Sequence, residues 1–363
     1  MPRFIVVLCS ALAAATATAQ EKAGPAPLDR DIRALAANAP LSLRFQGRSA
    51  ADARAWQAVF AAKLRELLGP YQPPATWQVT VERVVDLDDH RREELVLSAP
   101  GHPDLPLYLL IPKGGDKAPR AGILALHGHG QYGYDPIVGR ELTPGADKAI
   151  ASANYDYGRQ LVRRGYVVAA PCLSPFGRRL GSRKDYTEDA CAVTFVRLQL
   201  LGKLLIAENL RDSLWALEYL ARRPEVDAQR LGCVGPSYGG RMTTLTAALE
   251  PRIKVAVISG ALNCLQERIA AHWGCGAQVI PGLLQYGDTP EIAGLIAPRY
   301  CLWEVGAKDS LLPAAWVEKS LARLEPVYRA LGAADHLEVE RFDGGHRWNG
   351  QRAYELIDAV LKR

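Results

Sequence analysis

The chain has 363 residues, 48% of them apolar, and a formal net charge of +5. That apolar content excludes a disordered chain and is ample for one large α/β domain or two ordinary ones. The charge is small for the length, and basic residues cluster only in short pairs such as Arg163-Arg164 and Arg178-Arg179, so the electrostatics give no support to a nucleic-acid partner.

At the N-terminus Arg3 precedes the apolar run Phe4-Ile5-Val6-Val7-Leu8, and an alanine-rich stretch ends in Ala17-Thr18-Ala19. A short basic segment, an apolar segment and a small-residue site in that order predict a secretory signal over residues 1–19. The apolar run is shorter than the ~20 residues that span a bilayer, so no stable membrane insertion is expected after cleavage. The expected location is secreted or periplasmic. Cys172, Cys191, Cys233, Cys264, Cys275 and Cys301 follow the signal. Cys233 and Cys301 lie in apparent core strands and are expected as buried free thiols. Cys264 with Cys275, or Cys172 with Cys191, are the pairs that would close loops, and their order leaves the pairing open.

Residues 20–48 read as an N-terminal linker and 49–363 as a single domain. Ser49 to Gly69 reads as a helix. Trp56, Val59, Phe60, Leu64, Leu67 and Leu68 recur at spacings of three and four, Asp52 is placed to cap it and Gly69-Pro70 ends it. Strands are expected at Trp77 to Val85, Glu94 to Leu97 and Leu107 to Ile111, an antiparallel start. From Ala121 strands and helices alternate. The strands are Gly122 to Leu126, Tyr166 to Ala170, Leu231 to Val234, Val255 to Ser259, Cys301 to Val305 and Leu337 to Arg341. The helices are Tyr155 to Arg164, Leu200 to Arg223, Gly239 to Leu249, Ala314 to Ala330 and Gly350 to Leu361. This alternation predicts an α/β class with a mostly parallel, doubly wound sheet. Two insertions, about 173–197 and 261–298, follow strand ends and are expected to wall a pocket. Within or near them Arg178, Arg268, Trp273 and Trp348 are candidate pocket residues.

The chemistry is expected at Gly235-Pro236-Ser237-Tyr238-Gly239-Gly240, where a buried strand runs through a tight turn into a helix. Such a turn pushes the Ser237 hydroxyl out of the sheet and sets it beside a helix N-terminus. Acyl transfer by serine needs a base, an anion to orient that base and two N–H donors. His346 in Gly344-Gly345-His346 follows the last strand and is the expected base, with His336 at a strand entry expected to be structural. Asp309 in Gly306-Ala307-Lys308-Asp309 follows the preceding strand and is the expected acid, ahead of Asp343. The expected oxyanion donors are the backbone N–H groups of Tyr238 and of His129, in the loop Leu126-His127-Gly128-His129-Gly130. No third His or Asp joins His127 and His129 at useful spacing, so no metal is expected. His127 is expected to hold the loop.

These motifs, with Arg164-Gly165-Tyr166-Val167-Val168-Ala169-Ala170-Pro171 and Ile280-Pro281-Gly282, resemble the α/β-hydrolase superfamily. More narrowly the chain is similar to exported bacterial dienelactone hydrolase-like and acetyl xylan esterase-like serine esterases. The resemblance covers roughly Trp56 to the C-terminus. It implies a Ser237-Asp309-His346 triad that hydrolyses short-chain acyl esters of carbohydrates or other small molecules without a cofactor. Many members have aspartate after the Val-Val-Ala strand, where this chain has Pro171-Cys172, so the pocket there is expected to differ. Ser-Tyr-Gly-Gly also resembles prolyl-oligopeptidase-type peptidases, but the chain has no room for their β-propeller. A peptidase with the same triad would need a subsite for a peptide terminus, and none is evident. A non-catalytic binding protein on this fold would usually lack a triad member, and none is missing.

Overall fold

A computed structural model describes residues 27–114, 118–130, 132–140, 144–182, 186, 189–271 and 275–362. The expected signal segment, the start of the expected linker and Trp273 lie outside the described residues.

Nine strands form one sheet: β1 (Gln78–Asp86), β2 (His90–Ser98), β3 (Leu105–Pro112), β4 (Arg120–Ala125), β5 (Val167–Pro171), β6 (Val226–Pro236), β7 (Ile253–Ser259), β8 (Tyr300–Gly306) and β9 (Leu337–Phe342). Their order is β1-β2-β3-β5-β4-β6-β7-β8-β9. The pairs from β1 through β3 to β5 are antiparallel. Those from β5 through β4 to β9 are parallel. The order reverses at β4, and strands β4, β6, β7, β8 and β9 all end at the same edge. Ligands in such sheets bind beyond that edge.

Both faces of β4 to β8 are covered, as their apolar runs require, whereas the edge strand β9 alternates and is half-buried. One core lies under the helices Leu205–Ala221, Tyr238–Leu249 and Ala314–Ala330 and contains Trp215, Met242 and Trp303. The other lies under Tyr157–Arg163 and Gln351–Leu361 and contains Tyr157, Trp348 and Ile357. At the antiparallel edge β1 is exposed along nearly its whole length. Its valines therefore alternate without burying a face.

Three local expectations change. From Pro27 on, the segment read as linker contains the helix Pro27–Ala37 and docks on the domain. Arg33 donates to the Ala270 carbonyl at 2.8 Å, and the amides of Leu41, Ser42 and Leu43 donate to the carbonyls of Leu284, Gln285 and Tyr286. Leu28, Ile32 and Leu35 recur at helical spacing but stay exposed, so polar tertiary contacts rather than an apolar stripe place the segment. The next helix, Ala50–Leu68, is capped by Ser49, with Asp52 three residues on: Ser49 Oγ accepts from the Asp52 amide at 3.1 Å and Asp52 Oδ2 accepts from the Ser49 amide at 3.0 Å. This is a capping box, so Asp52 supports the cap from within the helix. Its buried stripe is Ala53, Phe60, Leu64 and Leu68, while Val59 is exposed. The helix expected from Leu200 to Arg223 begins only at Leu205, as Leu205–Ala221, and a separate helix, Ala190–Leu200, precedes it from within the first insertion. Gly202 lies in the break with a left-handed φ of +67, which only glycine adopts freely.

The N-terminal arm is part of the core. Phe60 is fully buried and stacks on Trp56 with ring centroids 5.7 Å apart. A Cβ at Gly287 would sit 2.6 Å from the Phe60 ring. Phe60→Ala is expected to cost about 3–5 kcal/mol of unfolding free energy. Urea titration of the two proteins checks this, and a loss below about 1 kcal/mol would show that the arm is not integral.

Candidate active site

Ser237 stands between the last residue of β6 and the first turn of the helix Tyr238–Leu249, with φ +57 and ψ −121. A non-glycine residue in this region carries backbone strain, which surrounding contacts must hold. The contacts are specific. The Ser237 amide donates to the Ser259 carbonyl at 2.8 Å. A Cβ on Gly239 would overlap the Leu126 carbonyl, and one on Gly235 would lie 2.6 Å from the same oxygen. Both glycines let the turn press against the end of β4.

That close approach brings the loop after β4 to the serine. A Cβ on Gly128 would be 3.2 Å from the Ser237 Cβ. The loop is held from below: the Gly128 amide donates to Tyr155 Oη at 2.6 Å, and His127 Nδ1 meets the Gly128 carbonyl at 2.8 Å. The Leu173 amide donates to His127 Nε2 at 2.9 Å. His127 is therefore neutral with its proton on Nδ1, and burial pushes its pKa down to about 4. This is the loop-holding role expected for it. The His129 ring lies against the Tyr238 ring, centroids 5.0 Å apart. The Tyr238 amide is the first of its helix, where amides have no intrahelical acceptor. Both expected oxyanion donors thus belong to segments that meet at Ser237. Tyr238 is further fixed through its buried hydroxyl, which accepts from Asn209 Nδ2 at 2.6 Å.

His346 follows β9, and Asp309 follows β8. His346 Nδ1 lies 2.7 Å from Asp309 Oδ2, and Asp309 Oδ1 accepts from the Leu311 amide at 2.9 Å. Asp309 is buried, whereas His346 is partly open to solvent. Ser237 and His346 line one pocket together with His129, Arg268, Cys275 and Leu311. The rival acid Asp343 is exposed and pairs with Lys308 at 2.7 Å. His336 stacks on Tyr300 and its Nδ1 lies 2.6 Å from the Pro298 carbonyl, away from the serine.

Of the expected pocket residues, Arg268 is in place. Its Nε is buried with no hydrogen-bond partner among the described residues. Arg178 is not in this pocket: it forms an ion pair with Glu82 of β1. Trp348 is a core residue, fully buried between Tyr157 and Tyr354 and donating to Tyr354 Oη at 3.0 Å. The indole two residues after the histidine points inward, and its burial area outweighs any use in the pocket.

Several site groups were not anticipated. Gly260 ends β7 with φ +63, and a Cβ there would lie 2.8 Å from His346 Cε1. Glu304, fully buried in β8, accepts from the amides of Asn349 and Gly350 at 3.0 and 2.7 Å. It thereby anchors the loop that carries His346. A lone glutamate inside the apolar strand Cys301-Leu302-Trp303-Glu304-Val305 was the available signal. Finally, all six described cysteines are free and buried. Neither candidate loop-closing pair is formed. Cys264 Sγ meets Ser320 Oγ, and Cys172 donates to the Phe176 carbonyl. Cys275 instead faces Cys191 and His129, and these neighbours hold its thiol below the ordinary range.

Comparison with known proteins follows the same lines. The model of the dienelactone hydrolase family matches residues 147–271. YtaP of Bacillus subtilis (strain 168), named provisionally as a hydrolase, is 33% identical over 305 residues, covering 83% of this chain and 97% of YtaP. A Bacteroides fragilis NCTC 9343 protein, named provisionally as an acetyl xylan esterase, superposes with TM-score 0.73 at 17% identity, covering 90% of this chain and 84% of its own. A CE15 glucuronoyl esterase from Teredinibacter turnerae T7901 superposes with TM-score 0.62 at 17% identity, covering 90% of each chain. At such identities the two structures share the fold.

Burial raises the Glu304 carboxyl from the ordinary 4.5 to about 7, against the Asn349 and Gly350 amides that lower it. A carboxyl raised on folding binds its proton more tightly in the folded chain. Its contribution to stability is therefore lost as pH climbs from 4.5 to about 7. Over that window it is expected to remove on the order of 3 kcal/mol. Urea unfolding at pH 5 and pH 8 is expected to show a smaller pH difference in Glu304→Gln, and an identical difference would refute the assignment. Gly260→Ala is expected to lower kcat roughly tenfold or more, because it sets a methyl against His346 at a strained φ. Initial rates check this, with thermal melting to confirm folding.

Proposed function

The chain belongs to the dienelactone hydrolase family and is a carboxylic ester hydrolase, and we propose that it works through an acyl-enzyme on Ser237 and takes short-chain acyl esters of carbohydrates or other small molecules. The observation that carries this reading is the His346–Asp309 pair, 2.7 Å apart, opening on the same pocket as a serine held in a strained strand-to-helix turn.

In this mechanism Ser237 Oγ attacks the ester carbonyl carbon as His346 Nε2 takes its proton. Asp309 accepts from His346 Nδ1–H, so the ring keeps the tautomer that leaves Nε2 free as base. It also stabilises the imidazolium that forms. Negative charge develops on the carbonyl oxygen, where the Tyr238 and His129 amides and the helix N-terminus stabilise it. The tetrahedral intermediate collapses, and His346 returns the proton to the leaving alcohol. Water then attacks the acyl group by the same route and restores Ser237. Each oxyanion donor supplies roughly 10²–10³ in rate.

The substrate class draws on two supports. The names of the acetyl xylan esterase and the glucuronoyl esterase both denote esters of carbohydrates. The pocket lining is mixed polar and apolar, with Arg268 and His129 beside Leu311, which suits a small polar ester better than a lipid. Export to the periplasm or beyond is proposed on the signal-like order of residues 1–19.

The test is initial rates on p-nitrophenyl esters of rising acyl length. Turnover is expected to be highest on acetate and to fall with length. Ser237→Ala is expected to lose at least roughly 10⁴-fold. Preference for long chains would overturn the short-acyl reading. Equal rates in the variant, or no turnover of any ester, would overturn the acyl-enzyme on Ser237.

A further inference from the structure

Three soft donor groups converge on the wall of the pocket. His129 Nε2 lies 3.0 Å from Cys275 Sγ, and with Cys191 Sγ all three atoms lie within 4.8 Å of one another. We propose that His129, Cys191 and Cys275 form a binding site for one borderline-soft divalent cation of the zinc class. The inference does not depend on the acyl-enzyme mechanism.

The geometry fits such an ion. Tetrahedral zinc has Zn–S of ~2.3 Å and Zn–N of ~2.0 Å, which places its ligand atoms roughly 3.5–3.8 Å apart. The His129–Cys275 pair must open by about half an ångström from its hydrogen-bonded distance, within the freedom of two side-chain torsions. Two thiolates and an imidazole are the ligand set that selects zinc and its soft neighbours over calcium or magnesium. The ion takes one lone pair from each sulfur and one from Nε2. The thiol protons of Cys191 and Cys275 both leave to solvent, and His129 carries its ring proton on Nδ1. A fourth position remains for water.

The donors are positioned by their own backbones. Cys191 is in the first turn of the helix Ala190–Leu200, whose cap Asp189 accepts from the Ala192 amide at 3.1 Å. Cys275 Sγ accepts from the Ala277 amide at 3.4 Å and so has an outer partner fixing its direction. The two segments pack closely: a Cβ on Gly276 would lie 3.0 Å from the Cys191 carbonyl. His129 is exposed, which gives an ion a way in. The three donors come from three separate segments, the loop after β4 and the two insertions. A bound ion therefore clamps both pocket walls to the loop that carries a proposed oxyanion donor. Sequence reading missed the site because it sought histidine and aspartate near His129 along the chain, and both cysteines are distant in sequence.

The experiment titrates the purified, reduced chain with Co²⁺, whose thiolate ligation gives intense charge-transfer absorption, and then displaces it with Zn²⁺. One equivalent is expected to bind, with the charge-transfer band, and the melting temperature is expected to rise with free Zn²⁺. Cys191→Ser and Cys275→Ser are each expected to weaken binding by more than roughly tenfold and to lose most of the band. Serine keeps an acceptor for the Ala277 amide, and circular dichroism confirms folding of the variants. Cys264→Ser, whose sulfur contacts Ser320, is expected to bind as the parent does. No charge-transfer band in the reduced parent, an undiminished band in Cys191→Ser and Cys275→Ser, or a Cys191–Cys275 disulfide that resists reductant would overturn the proposal.

Discussion

The site depends on how closely the Ser237 turn approaches the end of β4. The Leu126 carbonyl occupies the space where Cβ atoms on Gly235 and Gly239 would project. Side chains at either place would push the turn away from β4 and carry the serine with it. Because the loop that carries His129 starts at Leu126, one contact sets both the proposed nucleophile and a proposed oxyanion donor. The strained φ of Ser237 is held there by packing on both sides and by the Ser259 carbonyl. This is backbone strain maintained by the surrounding sheet at the position where exposure of a hydroxyl is needed.

The histidine is placed by a different device. Its loop crosses the ends of β8 and β9 and is tied down by a carboxyl buried inside the sheet. Glu304 receives two amides from the residues just after Trp348, and Trp348 is itself sunk between Tyr157 and Tyr354. Burial of a carboxyl is costly unless its oxygens are satisfied. Here the partners are the loop itself, so the group that is hard to bury is also the one that fixes the loop. Gly260 leaves the space that the imidazole fills. With Asp309 closing the other side, His346 is oriented from three directions.

Much of this could be read from the sequence. β4 to β8 are short apolar runs bounded by turn residues, and β1 to β3 and β9 were read from turn residues and alternation, so all nine strands were expected close to where they lie. That Ser237, Asp309 and His346 come together was legible because each follows a strand at the same edge of the sheet. What escaped the sequence depends on tertiary contact. The helix Pro27–Ala37 leaves Leu28, Ile32 and Leu35 exposed and gains its place by polar docking contacts. The break at Gly202 interrupts an apolar pattern that reads as continuous. Trp348 looks like a pocket aromatic until its neighbours are known, and Arg178 looks like a pocket cation until Glu82 is found beside it. The Cys191–Cys275–His129 cluster joins residues that no spacing rule connects.

The central claim is that Ser237 is the nucleophile, activated by His346. Reaction of the folded chain with a fluorophosphonate, followed by intact mass and peptide mapping, tests it most directly. The account predicts one adduct per chain, located on Ser237 and absent from Ser237→Ala. An adduct on another residue, or no adduct on the folded chain, would contradict it.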